Sequence, residues 1–204
     1  MKKALFLLIL IIVSINGLHA KNVKGFIKFA DSMQEVTLKI PAGLFGNHPQ
    51  YIRLQNKIKY ISPNGDVKVL KPSDAEAVKF SFKGEMITLV SVKNNTDQSR
   101  LTGVTQDSHI FLKLVMDGKL KLFQYYSAQY SPGVGQQPGT TTIKDEYLLQ
   151  LPDEPLKRLK SIGFRKDMKE YFSDCPALVE ILDSRTLRKK DMEAIVEFYN
   201  QNCN

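Results

Sequence analysis

Residues 110–126 read IFLKLVMDGKLKLFQYY, two apolar runs separated by Asp117-Gly118. Asp-Gly between two such runs is a strong hairpin signal, because both central positions of a tight turn tolerate positive φ. The flanking runs are short and rich in β-branched, aromatic and other apolar residues, as strands are. This stretch therefore predicts two antiparallel strands, Ile110–Met116 and Lys119–Tyr126.

The same pattern extends in both directions from this hairpin. Further predicted strands are Gly25–Phe29, Val36–Ile40, Lys57–Ile61, Val67–Leu70, Val78–Lys83, Met86–Lys93 and Ile143–Leu151. Two stretches interrupt them: residues 94–108 are polar and nearly free of core residues, and residues 131–142 (SPGVGQQPGTTT) predict a long, mobile hairpin loop. Short sequential strands with tight turns predict an antiparallel sheet that closes as a small barrel or packs as a sandwich.

After residue 160 the apolar spacing becomes helical. Three short helices are predicted from the positions Phe164, Met168, Tyr171 and Phe172, then Leu178, Ile181 and Leu182, and then Met192, Ile195, Val196 and Tyr199. Pro176 suits the first turn of the second helix, with Asp174 or Cys175 as its cap. We expect an α+β protein in which residues 21–160 form a β-rich part and residues 161–204 a helical tail, packed together as one domain.

The first twenty residues have the three parts of a secretory signal peptide. Met1-Lys2-Lys3 is basic, Ala4–Ile15 is apolar, and Ala20 is a small residue at the cleavage position. As a helix, Ala4–Ile15 would reach about 18 Å, which is short of the bilayer core of about 30 Å. The sequence thus predicts export, with a mature chain that begins at Lys21 and is periplasmic, envelope-associated or secreted.

Composition and net charge indicate which kinds of ligand the protein surface can attract. The chain is 43% hydrophobic and 25% charged and carries a net charge of +8, which is typical of a folded domain with a moderately basic surface. Such a surface is attracted to anionic lipid or polysaccharide. Nucleic acid is not predicted, because the chain is exported and lacks a recognised binding motif. No apolar run after the signal is long enough to cross a bilayer.

The chain contains two cysteines, Cys175 and Cys203. An even number in an oxidising compartment predicts a disulfide. Here the bond would join the start of the second helix to the end of the third. The alternative is a redox pair, but the sequence contains no Cys-x-x-Cys and no thioredoxin-like βαβ pattern.

The sequence predicts no catalytic site, no metal site and no cofactor. His19 belongs to the signal, and His48 and His109 have no second histidine or cysteine at metal-ligand spacing. No Gly-x-Ser-x-Gly or phosphate-cradling Gly-Lys-Ser/Thr motif is present. Distant residues can still converge in a fold, so a hydrolase with an unrecognised site stays open.

Two groups of residues are candidates for binding. The lysines that alternate with apolar residues in the strands predict a cationic sheet face for an anionic ligand; they are Lys39, Lys59, Lys68, Lys79 and Lys121. The alternative is that they mark the solvated side of the sheet and protect its edges. The second group, Tyr125, Tyr126 and Tyr130, leads into the Gly/Pro-rich loop and predicts a recognition surface. Its alternative is packing at the strand end.

Four segments of the chain carry a family resemblance. They are Lys24-Gly25-Phe26-Ile27, residues 114–123, Tyr171-Phe172-Ser173-Asp174-Cys175-Pro176 and Tyr199-Asn200-Gln201-Asn202-Cys203. The chain resembles the uncharacterised secreted proteins common in Bacteroidota, which have a β-rich first part and a C-terminal Cys-Pro…Tyr-Asn…Cys helical segment. The resemblance implies an envelope location, paired cysteines and a sheet with a helical tail. It implies no catalytic residue.

These patterns together favour an exported, non-enzymatic binding or structural module of the cell envelope. We expect its partner to be another envelope protein. The alternatives are a binder of anionic lipid or polysaccharide that uses the lysine-bearing face, and a hydrolase.

Overall fold

A computed structural model describes residues 20–43, 47–96, 101, 108–133, 135 and 138–203 of the chain. The predicted signal peptide, residues 1–20, lies outside the described residues except for Ala20. The described chain is mostly antiparallel sheet with short helices, so the predicted α+β class is confirmed.

Ten strands are present in the described residues. In chain order they are β1 (Ala20–Lys28), β2 (Met33–Pro41), β3 (Ile58–Ile61), β4 (Val67–Leu70), β5 (Ala77–Phe82), β6 (Glu85–Lys93), β7 (His109–Met116), β8 (Lys121–Ser131), β9 (Thr140–Gln150) and β10 (Lys157–Arg158). All nine predicted strands are confirmed, and β10 was not predicted. Strands β8 and β9 extend into the stretch predicted as a loop, so only residues 132–139 connect them.

The strands form a single open sheet in the order β10-β9-β8-β7-β6-β5-β1-β2-β3-β4. The prediction of a closed barrel or a two-sheet sandwich is therefore wrong. The reason lies in the connection from β4 to β5, which returns the chain to the middle of the sheet, where β5 pairs with β1. Two antiparallel meanders are thereby joined side by side.

The N-terminal half of the sheet curls around its own core. Ser91 on β6 donates a hydrogen bond to the carbonyl oxygen of Pro72, two residues beyond the end of β4. These two strands are five positions apart in the sheet, which is about 24 Å in a flat sheet. The contact requires strong curvature, and the concave side, here called the inner face, encloses the buried residues Ile27, Val36, Leu38, Ile40, Ile58, Val78, Phe80, Ile87 and Leu89.

The helices of the described chain are α1 (Tyr51–Leu54), α2 (Phe164–Tyr171), α3 (Pro176–Asp183) and α4 (Met192–Asn202). The three predicted C-terminal helices are confirmed, and α1 was not predicted. Cys175 is the N-cap of α3 and Cys203 the C-cap of α4. The predicted disulfide joins them, with their Cα atoms 5.4 Å apart.

Helices α2–α4 pack on the inner face at the β8–β10 end of the sheet. Register places Leu122 opposite Leu149, and both are buried in one cluster with Met168, Leu178, Ile195 and Tyr199 from the helices. The apolar positions predicted from helical spacing, except Ile181, thus form this second core or pack against it.

A third core lies on the opposite side of the sheet, here called the outer face. Phe123, paired with Leu148, packs there with Ile110, Leu112, Tyr125 and Leu156. Leu101 also belongs to this core, and its amide donates to the Oδ1 atom of buried Asn94. Leu101 is thus a core residue within the stretch that was predicted to be nearly free of them; residues 97–100 and 102–107 lie outside the described chain.

Gln55, directly after α1, joins β7 to β8 where the two strands separate. Their pairing ends at Lys113 and Gln124. Beyond that point the Gln55 carbonyl accepts from the amide of Phe111 at 3.0 Å. The Gln55 side chain donates to the carbonyl of Tyr126 at 2.9 Å and accepts from its amide at 2.7 Å. One buried glutamine thus replaces missing ladder bonds between two strands.

Asn200 holds α4 against the β7–β8 turn in a similar way. Its Oδ1 atom accepts from the amide of Leu120 at 2.8 Å, and its Nδ2 atom donates to the carbonyl of Leu120 at 2.9 Å. A Cβ atom at Gly118 would overlap the Asn200 amide. The glycine of the predicted Asp-Gly turn therefore also allows the helix to approach the turn closely.

Candidate binding groove on the outer face

An apolar groove lies on the outer face of the curled half, where β1, β2, β5 and β6 run side by side. It has a volume of about 610 Å³ and is lined by Phe26, Met33, Met86 and neighbouring lysines. Register accounts for the arrangement, because Phe26 is opposite Lys79 on β5, and Lys28 is opposite Met33 on β2. Directly opposite residues in an antiparallel pair share a face.

The apolar side chains of the groove are unusually exposed for their type. Phe26 is 46% exposed, Met33 68% and Met86 59%. Their sequence neighbours Ile27 and Ile87 are fully buried on the inner face. Each of these strands therefore presents apolar groups on both faces. Large exposed apolar residues gathered in one concavity mark interaction sites more often than scattered ones do.

Lysines lie beside Phe26 on the two central strands of the groove. Lys28 forms an ion pair with Glu76 at 2.7 Å, and both side chains are about half exposed. Among the described residues, Lys24 and Lys79 have no carboxylate within ion-pair distance. The groove consequently combines apolar contact area with positive charge, and it favours a ligand that has both apolar and anionic groups.

Gly25 positions the two central strands of the groove. A Cβ atom there would overlap the side chain of Leu38 and the backbone carbonyl of Lys79. The absence of a side chain lets β1 and β5 pack closely beneath Phe26 and Lys79. The groove therefore lies on two strands, β1 and β5, whose backbones are closely packed.

The lysines predicted as one cationic face divide among three places. Lys39, Lys59 and Lys79 lie on the outer face of the curled half, with Lys39 directly opposite Lys59. Lys68 is opposite the buried Tyr60 and therefore faces the inner side. Lys121 lies on β8 in the other half of the sheet and pairs with Asp117 at 3.7 Å. The structure brings three of the five together and separates Lys68 and Lys121 from them.

The three predicted recognition tyrosines do not form one surface. Tyr125 is 2% exposed and belongs to the third core, so its side chain is not available to a ligand. Tyr126 lies on the inner face, stacked on Tyr51 with ring centroids 4.4 Å apart. Tyr130 is exposed, and a side chain at Gly139 would overlap its ring. Adjacent strand residues point to opposite faces, which separates Tyr125 from Tyr126.

The stacked pair of Tyr51 and Tyr126 has its own electrostatic environment. Burial raises the pKa of both phenols above the ordinary value, and Glu85 raises the pKa of Tyr51 further. The Lys113 ammonium lies 5.4 Å from the Tyr51 ring centroid and pairs with Glu85 at 2.7 Å. Both phenols therefore stay protonated and uncharged at neutral pH.

The histidines weighed as candidate ligands lie apart from one another. His48 borders the cleft beside Tyr51 and Tyr126, and His109 begins β7 next to Ser108. Within the described ranges, no three His, Cys, Asp or Glu side chains are grouped as a metal site would require. None of the helices described is long and apolar enough to cross a bilayer.

The exposed groove residues were not predicted, because the alternation of lysines with apolar residues does not show which apolar side chains face the solvent. The available signal was the adjacent apolar pairs Phe26-Ile27 and Met86-Ile87. In a strand with one buried face, only one residue of such a pair can reach the core.

No protein-family model, curated protein or solved structure matches this chain. A function is therefore inferred from the chemistry of the groove itself.

Proposed function

We propose that the protein is an exported, non-enzymatic binding module of the cell envelope whose outer-face groove holds a segment of a partner protein. The observation that carries the proposal is the exposure of Phe26, Met33 and Met86 in one groove that lysines also line. Aromatic residues and methionine are enriched at protein interfaces, whereas lysine is depleted there. Phe26, Met33 and Met86 give the groove this apolar composition, and Lys24, Lys28 and Lys79 lie among them.

The chemistry of the groove specifies the partner segment. Lys24 and Lys79 would pair with acidic side chains in or beside an apolar stretch of the partner. Met33 and Met86 can adapt to apolar side chains of different shape, because methionine is unbranched and polarisable. The ligand class is thus an apolar peptide segment that also carries acidic side chains.

Export is part of the same proposal. It is supported by the basic, apolar and small-residue regions of residues 1–20, and a disulfide between Cys175 and Cys203 is compatible with an oxidising compartment. The resemblance to secreted Bacteroidota proteins points in the same direction.

The test is a pull-down from native envelope extract with tagged mature protein, washed at low and then moderate salt. Wild type is expected to retain one protein at both salt levels, with at most a partial loss at moderate salt, because the apolar contacts depend little on salt and only the lysine pairs are screened. The double variant Phe26→Ser, Met86→Ser is expected to reduce the retained protein at least about tenfold, since two exposed apolar contacts are removed.

A matched control is available on the same face. Val67 and Val69 on β4 are also about half exposed but lie outside the groove, so Val67→Ser, Val69→Ser is expected to retain the partner. Equal retention by the groove variant would contradict the proposal. Recovery of lipid or glycan alone, and only at low salt, would favour the lysine-bearing face instead.

A further inference from the structure

A second cavity, of about 590 Å³, lies at the helical end of the molecule, between α2 and the segment that follows α3. Five basic side chains line it: Arg165, Lys166, Lys169, Arg185 and Arg188. The lining has a single carboxylate, Asp183. This concentration of positive charge is not part of the outer-face groove and is distant from it in the sheet order.

The carboxylate is already neutralised. The Lys169 ammonium donates to both oxygens of Asp183, at 2.8 and 2.6 Å. In the part of the chain that the structure describes, Arg165, Lys166, Arg185 and Arg188 have no carboxylate within ion-pair distance. Four positive charges therefore converge on one pocket without internal compensation, which favours a multiply charged or multidentate anion.

The backbone at Arg185 supports a role for its side chain. Arg185 directly follows the C-cap of α3 and has φ 62, in the left-handed region. Glycine or asparagine usually occupies this position after a helix, because other residues are strained there. Arginine at this position places a guanidinium beside the pocket, and planar guanidinium groups bind phosphate oxygens in pairs.

An exposed apolar side chain adjoins the charged pocket. Ile162 is 93% exposed, and its neighbours Ser161 and Gly163 both line the cavity. A soluble phosphate would gain no hydrogen bond and no charge contact from an isoleucine at the rim. At a membrane surface, a basic patch attracts anionic headgroups while an adjacent apolar side chain enters the boundary with the acyl chains.

We propose that this pocket binds the phosphate of an anionic phospholipid headgroup while Ile162 inserts into the adjoining acyl region. The site goes beyond the partner-binding groove and does not depend on it. It would hold the helical end of the protein at a membrane surface and leave the outer-face groove free.

The experiment is vesicle flotation of the mature protein with phosphatidylglycerol and phosphatidylcholine, compared with phosphatidylcholine alone. Wild type is expected to float with the anionic vesicles, and less so as salt is raised. The quadruple variant Arg165→Gln, Lys166→Gln, Arg185→Gln, Arg188→Gln is expected to bind roughly 600-fold more weakly, about fivefold for each charge removed. The matched control removes four exposed lysines that belong neither to this pocket nor to the lysine-bearing sheet face, Lys57→Gln, Lys71→Gln, Lys93→Gln and Lys144→Gln, and is expected to float with nearly wild-type affinity.

Two single variants separate a membrane site from alternatives. Arg185→Gly removes a guanidinium and relieves the left-handed strain, so its melting temperature should equal or exceed that of wild type while lipid affinity falls about fivefold. Ile162→Ser should weaken vesicle binding several-fold.

Equal losses in the two quadruple variants would overturn the proposal, because total charge would then be the cause. Unchanged binding by Arg185→Gly would also overturn it. A free-phosphate site predicts that Ile162→Ser floats like wild type and that inorganic phosphate displaces both wild type and Ile162→Ser from vesicles. That result would mean that the pocket binds free phosphate and not a lipid headgroup, and the membrane proposal would be wrong.

Discussion

Replacing Cys175, Cys203 or both with serine is expected to lower the free energy of unfolding by roughly 3–4 kcal/mol in each variant. The disulfide links positions 28 residues apart and closes the segment that contains α3 and α4. In the chain-entropy model the bond acts by restricting the unfolded chain, so losing either sulfur abolishes the whole effect. Denaturant unfolding of the three variants measures it.

The pattern of losses separates the bond from simple packing. Both cysteines are buried in the second core, so packing alone predicts that the losses of the single variants add in the double variant. The disulfide account predicts three nearly equal losses. It also predicts that reductant lowers the melting temperature of wild type and leaves the double variant unchanged. A wild-type melting temperature that is indifferent to reductant would contradict it.

Gln55→Met is expected to lower the free energy of unfolding by about 2–4 kcal/mol. Methionine preserves the length and apolar contacts of the side chain but has no amide, so the amide and carbonyl of Tyr126 lose their partners. Each backbone group left buried without a hydrogen bond is costly. Chemical denaturation gives the size of the effect, and hydrogen exchange at the Tyr126 amide locates it.

The control for this prediction is the same substitution at a glutamine whose side-chain hydrogen bond is exposed and goes to another side chain, not to a backbone group. Gln124 donates to Asp145 at 2.7 Å in an exposed bond, so Gln124→Met should change stability by less than about 0.5 kcal/mol. Equal effects at the two positions would mean that Gln55 does not join β7 to β8 as described.

Local patterns were sufficient to predict the elements of this fold. Alternation and the Asp117-Gly118 turn predicted nine of the strands, and the spacing from Met192 to Tyr199 predicted the buried face of α4. These signals act over a few residues, so they can be read without knowing the neighbours of a strand.

Sheet closure and long-range polar contacts were not predictable in the same way. Gln55 and Tyr126 are 71 residues apart, and Asn200 and Leu120 are 80 apart. An amide side chain in sequence looks polar and exposed, and only the fold shows which backbone groups lack partners. The open sheet follows likewise from the pairing of β5 with β1, which no local signal specifies.

The candidate sites show how strand parity limits sequence reasoning. Five lysines that alternate with apolar neighbours were expected on one face, yet Lys68 is opposite Tyr60 and faces inward. Which residues of neighbouring strands share a face depends on the register of the pairing, and the turn and the core together set that register. The same reasoning could have identified Phe26 and Met86, because each stands next to an isoleucine that fills the core.

The two proposed surfaces lie on different parts of the chain. The groove belongs to β1, β2, β5 and β6, and the cationic pocket to α2 and the segment after α3. A module bound to a membrane by its helical end could therefore present its outer face to a partner. Variants at one surface are expected to leave binding at the other unchanged.

The most direct test of the groove is photocrosslinking in cells that express the full chain with a photoreactive residue at position 33. Met33 is the most exposed of the three apolar groove residues, and Val67 on the same face provides the control position. We expect one discrete protein adduct from position 33 and none from position 67. Adducts of equal yield at both positions, or an adduct to lipid alone at position 33, would contradict a groove that binds a partner protein.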